Sequence, residues 1–216
     1  MKRLVSMFFA FSVTLIFSSA VPAIGAEKPF YFTAKAGIYS PGSNDLDTGV
    51  EGLDFDTEFT GGIAMGYYFS PNLALEFGID YFKPEASRQG TADPIFGDWS
   101  EHGVLAVIPV RLTGKGIYPI NSVELFGEVG IGMSFSNFEI DISYTGLGGG
   151  SLHYDVDDTD FEFHLGLGAN YDINENIFLG VEGKYFWTDA QFAADVYKFE
   201  PDFDGFVFTV NLSFRF

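Results

Sequence analysis

The chain has 216 residues, no cysteine, 18% aromatic residues, 26 glycines and 26 phenylalanines, and its 11 Lys+Arg against 30 Asp+Glu leave a formal charge of −19. A disordered chain lacks such aromatic content, a disulfide scaffold needs cysteines, and a nucleic-acid binder needs a basic surface, so these three classes are excluded. So much Phe and Gly is also unusual for the core of one small water-soluble domain.

Lys2 and Arg3 precede an apolar run from Leu4 to about Phe17, and small residues follow as far as Ala26. A charged start, an apolar segment and a small residue at the cut form a secretory signal, and the segment falls short of the ~20 residues a spanning helix needs. Residues 1–26 are therefore expected to be a signal peptide, cut after Ala26 with Ala20 as second choice, and 27–216 a single domain. The removed segment carries basic groups only, so the exported chain is more acidic still.

Beyond Glu27 the apolar residues recur with period two, which marks strands and not helices. The first strand, Phe30 to Tyr39, sets Phe32, Ala34, Ala36 and Ile38 against Thr33, Lys35 and Gly37. Phe59 to Phe69 sets Ile63, Met65 and Tyr67 against Gly62, Ala64 and Gly66; Leu73 to Phe82 sets Leu73, Leu75, Phe77, Ile79 and Tyr81 against Glu76, Gly78 and Asp80. Val104 to Lys115 sets Ala106, Ile108, Val110 and Leu112 against Arg111 and Thr113, and Val123 to Phe135 sets Leu125, Val129, Ile131 and Met133 against Glu124, Glu128, Gly130 and Gly132. Phe161 to Tyr171 sets Phe161, Phe163, Leu165, Leu167 and Ala169 against Glu162, His164, Gly166, Gly168 and Asn170. Ile177 to Trp187 sets Leu179, Val181, Tyr185 and Trp187 against Gly180, Glu182 and Lys184. The last strand, Phe206 to Phe216, sets six apolar residues against Asn211, Ser213 and Arg215.

The connections alternate strictly. Phe69–Asn72, Gly116–Ser122 and Asp172–Glu175 are short, whereas Ser40–Glu58, Lys83–His102, Ser136–Thr159 and Thr188–Asp204 are long. The expected fold is all-β: an eight-stranded antiparallel up-and-down transmembrane barrel with short periplasmic turns and four long extracellular loops. A secreted lipocalin is also an eight-stranded barrel, with its apolar face inward. Charged residues mixed with glycine suit a narrow lumen better than a solvated exterior. Aromatics also crowd both strand ends, Phe30, Tyr67, Phe69, Tyr171 and Phe216 at one and Phe59, Tyr81, Phe135, Phe161, Tyr185 and Trp187 at the other, as in membrane-interface girdles. Pro109 lies inside the fourth strand with no N–H to donate, and a bulge is expected there.

These pieces resemble the small outer-membrane barrels, specifically the OmpA-type transmembrane domain and the OmpW-like group. The carrying residues are the signal peptide, Tyr68–Glu76 at the first turn, Ile108–Leu112, Leu125–Gly132 and the terminal Phe214-Arg215-Phe216. The resemblance implies the outer membrane of a Gram-negative-type bacterium, contact with its lipids and lipopolysaccharide, and periplasmic chaperones and the barrel-assembly machinery as partners during biogenesis. Phe214 and Phe216 would supply the terminal aromatic signal that this machinery reads.

A lumen of eight strands is only wide enough for side chains to fill. The inward charges Lys35, Glu76, Asp80, Arg111, Glu124, Glu128, Glu162, Glu182, Lys184 and Arg215 are therefore expected to form an ion-pair network, with Arg111 centred between Glu76 and Glu128. Two readings follow, a structural plug or a gate for small ions. Acidic residues dominate the long loops against Lys83, Arg88 and Lys198. Asp45, Asp47, Asp54 and Asp56, and Asp155, Asp157, Asp158 and Asp160, are expected to be solvated and mutually repelling, with divalent cations as the alternative. His102 and His153 stand near Ser100, Ser151, Asp98 and Asp155, the residue types of nucleophilic catalysis, and lipid A acyltransferase and deacylase barrels exist. Nearness of common loop residues is weak support for such a site, and the chain is read as no enzyme. His164 is expected to face the lumen carboxylates. No cysteine or His/Cys cluster supports a metal or redox cofactor, and none is expected. The function read from the sequence is an integral outer-membrane barrel with a structural or surface-interaction role. The alternative is a narrow OmpW-like channel for small ions or small apolar molecules.

Overall fold

The computed structural model describes residues 28–42, 56–91, 97–146, 149–188, 192–194, 197–199 and 204–216. The expected signal peptide lies outside them, as do Asp45, Asp47 and Asp54 of the first acidic run. In chain order the strands are β1 (Phe30–Pro41), β2 (Glu58–Ser70), β3 (Leu73–Phe82), β4 (Glu85–Thr91), β5 (Asp98–Ile120), β6 (Val123–Tyr144), β7 (Gly150–Asp172), β8 (Ile177–Thr188), β9 (Phe192–Ala194), β10 (Tyr197–Phe199) and β11 (Gly205–Arg215).

Eight of them close a ring. Each of β1, β2, β3, β5, β6, β7, β8 and β11 pairs antiparallel with the next, and β11 returns to β1, where Phe30 and Phe216 exchange backbone hydrogen bonds of 3.3 and 2.9 Å. Closure removes the free edges an open sheet would leave. The turns between β2 and β3, β5 and β6, and β7 and β8 lie at one end with both barrel termini. Asn121 takes φ 54° in the tight β5–β6 turn, a left-handed conformation that Asn tolerates. At the β7–β8 turn Asn174 Oδ1 accepts the N–H groups of Asn176 and Ile177.

The two faces of the ring are inverted relative to a water-soluble barrel. Phe32, Ile63, Ile79, Ile108, Ile131, Leu165, Val181 and Leu212 point outward and are exposed, while Lys35, Glu76, Arg111, Glu128, Glu162 and Glu182 point inward and are buried. Rings gather at both rims. Phe30 lies 4.9 Å from Tyr67 and 6.1 Å from Phe216 at the turn end, and Trp187 lies 4.8 Å from Tyr185 and 5.5 Å from Phe163 at the other.

Two expectations need correction. Pro109 carries no bulge: Ile79 stands opposite Val110 and Phe82 opposite Val107 in one register, and the pairing is simply interrupted between them, where Pro109 has no N–H to give β3. On its other side Pro109 stays in register with Ser134. The bulge falls instead between Tyr68 and Ser70.

The second correction concerns the long connections. Much of Lys83–His102 and Ser136–Thr159 is strand: β4 follows β3 and pairs with the upper part of β5, while β6 and β7 continue as a hairpin to Tyr144 and Gly150. In this four-stranded extension the facing reverses. Asn137, Glu139, Asp141, Asp155 and Asp157 turn outward, while Phe138, Ile140, Ile142 and Val156 turn inward, because the medium outside has changed from apolar to aqueous.

Candidate functional site

Strand register decides which charges meet in the lumen. Inward positions on β2 are small, Gly62, Ala64 and Gly66, so side chains from β1 and β3 reach over them. A Cβ at Gly66 would overlap the ring of Tyr31, and one at Gly62 would overlap the carboxylate of Asp80. The absent side chains are the space the lumen groups occupy.

One group of charges surrounds Glu76. Its carboxylate accepts Lys35 Nζ at 2.7 Å and Tyr31 Oη at 2.9 Å, and lies 2.8 Å from Lys115 Nζ. Glu182 faces Lys184 at 2.9 Å, Lys115 at 3.3 Å and Lys35 at 3.4 Å. Glu128 is a further counter-charge, 3.2 Å from Lys184 and 3.5 Å from Lys115. A second group is built on Arg111, whose guanidinium grips Glu162 through two N–H groups and reaches Asp80 Oδ2 at 2.6 Å. Ser134 Oγ donates to Glu162 at 3.0 Å, and His164 stands between Thr113, at 2.9 Å, and Glu162, at 3.3 Å.

Arg111 is therefore not centred between Glu76 and Glu128. Cross-strand position explains the difference: Gly132 stands opposite Arg111 on β6 and pairs in turn with Glu162 on β7, so the guanidinium passes over a residue without a side chain. Glu76 and Glu128 are served instead by Lys115, which the sequence reading left out of the network. Period two from Arg111 through Thr113 leads to it, at the last position of the expected strand Val104–Lys115. Glu124 and Arg215 form a separate group at the turn end. Arg215 lies 3.1 Å from Glu124 and 3.3 Å from Asp172, and stacks over Phe178 at 4.6 Å.

Apolar layers close both ends of the charged region. Toward the extension lie Tyr39, Phe82, Leu105, Val107, Phe138, Ile140, Phe186 and Val207, with Tyr39 and Phe82 stacked at 4.3 Å. Toward the turns lie Tyr31, Tyr68, Ala74, Ile117, Phe126 and Phe178. A cavity of about 10 Å³ between Glu76, Lys115, Asn170 and Asn211 has room for about one water. Charges so enclosed cannot rely on solvent, so their mutual geometry determines their energy.

The outer residues assemble differently from the sets read in the sequence. His102 Nδ1 meets Ser87 Oγ at 2.9 Å, not Ser100, and His153 Nδ1 meets Asp141 Oδ1 at 2.8 Å, not Asp155. Asp155 and Asp157 share Asn137 Nδ2 at 2.6 and 3.0 Å, whereas Asp158 and Asp160 fall on the opposite face of β7, so the four aspartates do not converge. Phe214 and Phe216 lie exposed on the outer wall, their rings 6.3 Å apart.

The hydrogen bond to Asp141 raises the pKa of His153 above the ordinary imidazole value. A raised pKa in the folded state means that this pair adds stability fully below the unfolded value of about 6.5 and loses it as pH rises through the folded value. In an NMR titration of the folded barrel, Asp141→Asn should lower the His153 midpoint toward 6.5; an unmoved midpoint would refute the pairing.

A closed ring of eight antiparallel strands, apolar outside and charged within, is a transmembrane β-barrel. Residues 9–216 match the outer membrane protein beta-barrel domain family, and the chain belongs to that family. A protein of Coxiella burnetii is 25% identical over 176 residues, 73% of this chain and 68% of its own. Among solved structures, the outer membrane protein OprG of Pseudomonas aeruginosa is similar with a TM-score of 0.59 and 17% identity, over 89% of this chain and 98% of that one. Neisserial surface protein A is similar with a TM-score of 0.52 and 14% identity, over 87% and 97%. At these identities the likeness to both structures concerns the fold. The turn end is accordingly periplasmic and the extension extracellular.

Proposed function

We propose that the protein is a closed, non-conducting barrel that anchors an acidic extracellular β-sheet in the outer membrane of a Gram-negative bacterium, for structural and surface-interaction roles. The observation that carries this reading is the filled lumen. Four basic side chains and five carboxylates interlock across it, and aromatic layers cover them on both sides. Opening a path would require breaking several buried pairs at once. The amino-terminal pattern of residues 1–26 supports export, and the exposed apolar wall suits the outer-membrane lipids as surroundings.

A second reading, an OmpW-like passage for small apolar molecules, has one observation in its favour. The β3–β5 ladder lacks pairing at Asp80 and Tyr81 opposite Pro109 and Ile108, which weakens the wall beside the apolar layer. Single-channel recording of residues 27–216 in planar bilayers separates the readings. Silence from folded protein is expected; steady openings that change in Arg111→Ala would replace the closed barrel with a conduit.

A further inference from the structure

The chain has three histidines. His164 is enclosed in the lumen, and the other two stand on a single row of the extracellular sheet. Ser87 on β4 lies opposite His102 on β5, His102 opposite Asp141 on β6, and Asp141 opposite His153 on β7. Directly opposed residues share a face of the sheet. Here it is the outer face, where the side chains of Asp141 and His153 are 61% and 58% exposed. Neighbouring strands lie about 4.8 Å apart, so the two imidazoles flank the carboxylate at that spacing on either side. Glu139 and Asp155, themselves a cross-strand pair, stand next to Asp141 and His153 on the same face and make the surroundings of the row more negative.

We infer that His102, Asp141 and His153 bind a divalent metal ion of the zinc type on the outer face of the extracellular sheet. Two neutral imidazoles and a carboxylate form a donor set for zinc, copper(II) or nickel(II), whereas calcium and magnesium take oxygen ligands. The hydrogen bonds of the row prepare these ligands. His102 Nδ1 meets Ser87 Oγ at 2.9 Å on the β4 side, which directs the other ring nitrogen away from β4, toward β6 and Asp141. With Nδ1–H donated to Ser87, Nε2 keeps the lone pair that a metal requires, the arrangement common to metal-binding imidazoles. His153 Nδ1 lies 2.8 Å from Asp141 Oδ1. Two ligands of one tetrahedral ion, at bond lengths of about 2.0–2.1 Å, stand ~3.3 Å apart, so an ion replaces the shared proton with only a small outward turn of both groups. Among the described residues no three such groups converge on one point in the structure, and this trio closes by rotation about the χ1 and χ2 of exposed side chains. The bound ion would tie β5, β6 and β7 together across the sheet, with water completing its coordination.

The site goes beyond the closed-barrel reading and does not depend on it. The probe is Zn²⁺, titrated by calorimetry into the untagged, refolded barrel of residues 27–216 in nanodiscs. One ion per chain is expected. Ser87→Ala, which removes only the partner of a ligand, should weaken binding about tenfold, and His102→Ala or His153→Ala, which remove a ligand outright, by at least ~100-fold. Excess Ca²⁺ should not displace the ion, because imidazole is a poor ligand for calcium. A second measurement needs no variant: in histidine ring NMR spectra of the wild type, Zn²⁺ should shift the signals of His102 and His153 and leave those of His164, shielded in the lumen, in place. Binding that survives both histidine substitutions, or that Ca²⁺ displaces, would assign the ion to the acidic surface at large and overturn the inference. So would the absence of binding heat together with unmoved His102 and His153 signals. None of these outcomes bears on whether the lumen conducts.

Discussion

Arg111→Ala should destabilise the folded barrel by on the order of 3 to 5 kcal/mol, because it leaves the carboxylates of Asp80 and Glu162 facing each other without a counter-charge in a buried lumen. The side chain of Arg111 is 2% exposed and that of Glu162 0%, which places the pair outside the regime of surface ion pairs, worth about 0 to 1 kcal/mol. Lys28–Glu175, at 3.9 Å with the glutamate 94% exposed, belongs to that weaker regime and serves as the internal comparison. Coupling identifies the partners. Arg111→Ala with Glu162→Gln should be clearly less destabilised than the sum of its single changes, whereas Arg111→Ala with Glu128→Ala should be nearly additive. Urea unfolding of the refolded protein, followed by tryptophan fluorescence, gives all of these values on one scale. Coupling to Glu128 in place of Glu162 would restore the arrangement read from the sequence and refute the one in the structure.

That contrast shows where the sequence was informative. Period-two alternation located eight spanning strands and sorted their faces, because the lipid outside and the packed lumen inside impose opposite demands on neighbouring residues throughout the membrane. The same rule obscured the extension. On β6 the outward apolar residues are odd-numbered through Phe135, whereas the apolar residues are even-numbered from Phe138, and on β7 they change parity between Val156 and Phe161. Read along the chain, such a change resembles the end of a strand. In the structure the strands continue without a register shift, and only the surrounding solvent has changed. The membership of the lumen network was largely visible for the same reason the strands were, since inward parity selects Glu76, Asp80, Arg111, Glu128, Glu162, Glu182, Lys35 and Lys184. Its pairing was not. Which acid meets Arg111 depends on the stagger between strands and on whether an intervening position such as Gly132 carries a side chain, and neither follows from one strand's pattern.

Glu182 provides the complementary test, because its position among three cations makes the lumen's charge balance depend on it. Lys35, Lys115 and Lys184 all lie within 3.4 Å of its carboxylate, with side chains 4%, 9% and 3% exposed. Glu182→Gln preserves shape and some hydrogen bonding but leaves three ammonium groups sharing Glu76 and Glu128. A loss on the order of 3 to 5 kcal/mol is expected, comparable to that of Arg111→Ala. Adding Lys184→Met removes one cation and leaves Lys35 and Lys115 facing Glu76 and Glu128, two charges of each sign. The double variant should therefore recover a substantial part of the stability in the same urea titration, even though it has lost more polar contacts than the single one. Recovery of this kind would show that uncompensated charge, not the number of contacts, governs the stability of the lumen. If Glu182→Gln instead costs less than about 1 kcal/mol, the three lysines are being solvated, water reaches the centre of the barrel, and the closed-barrel reading loses its physical basis.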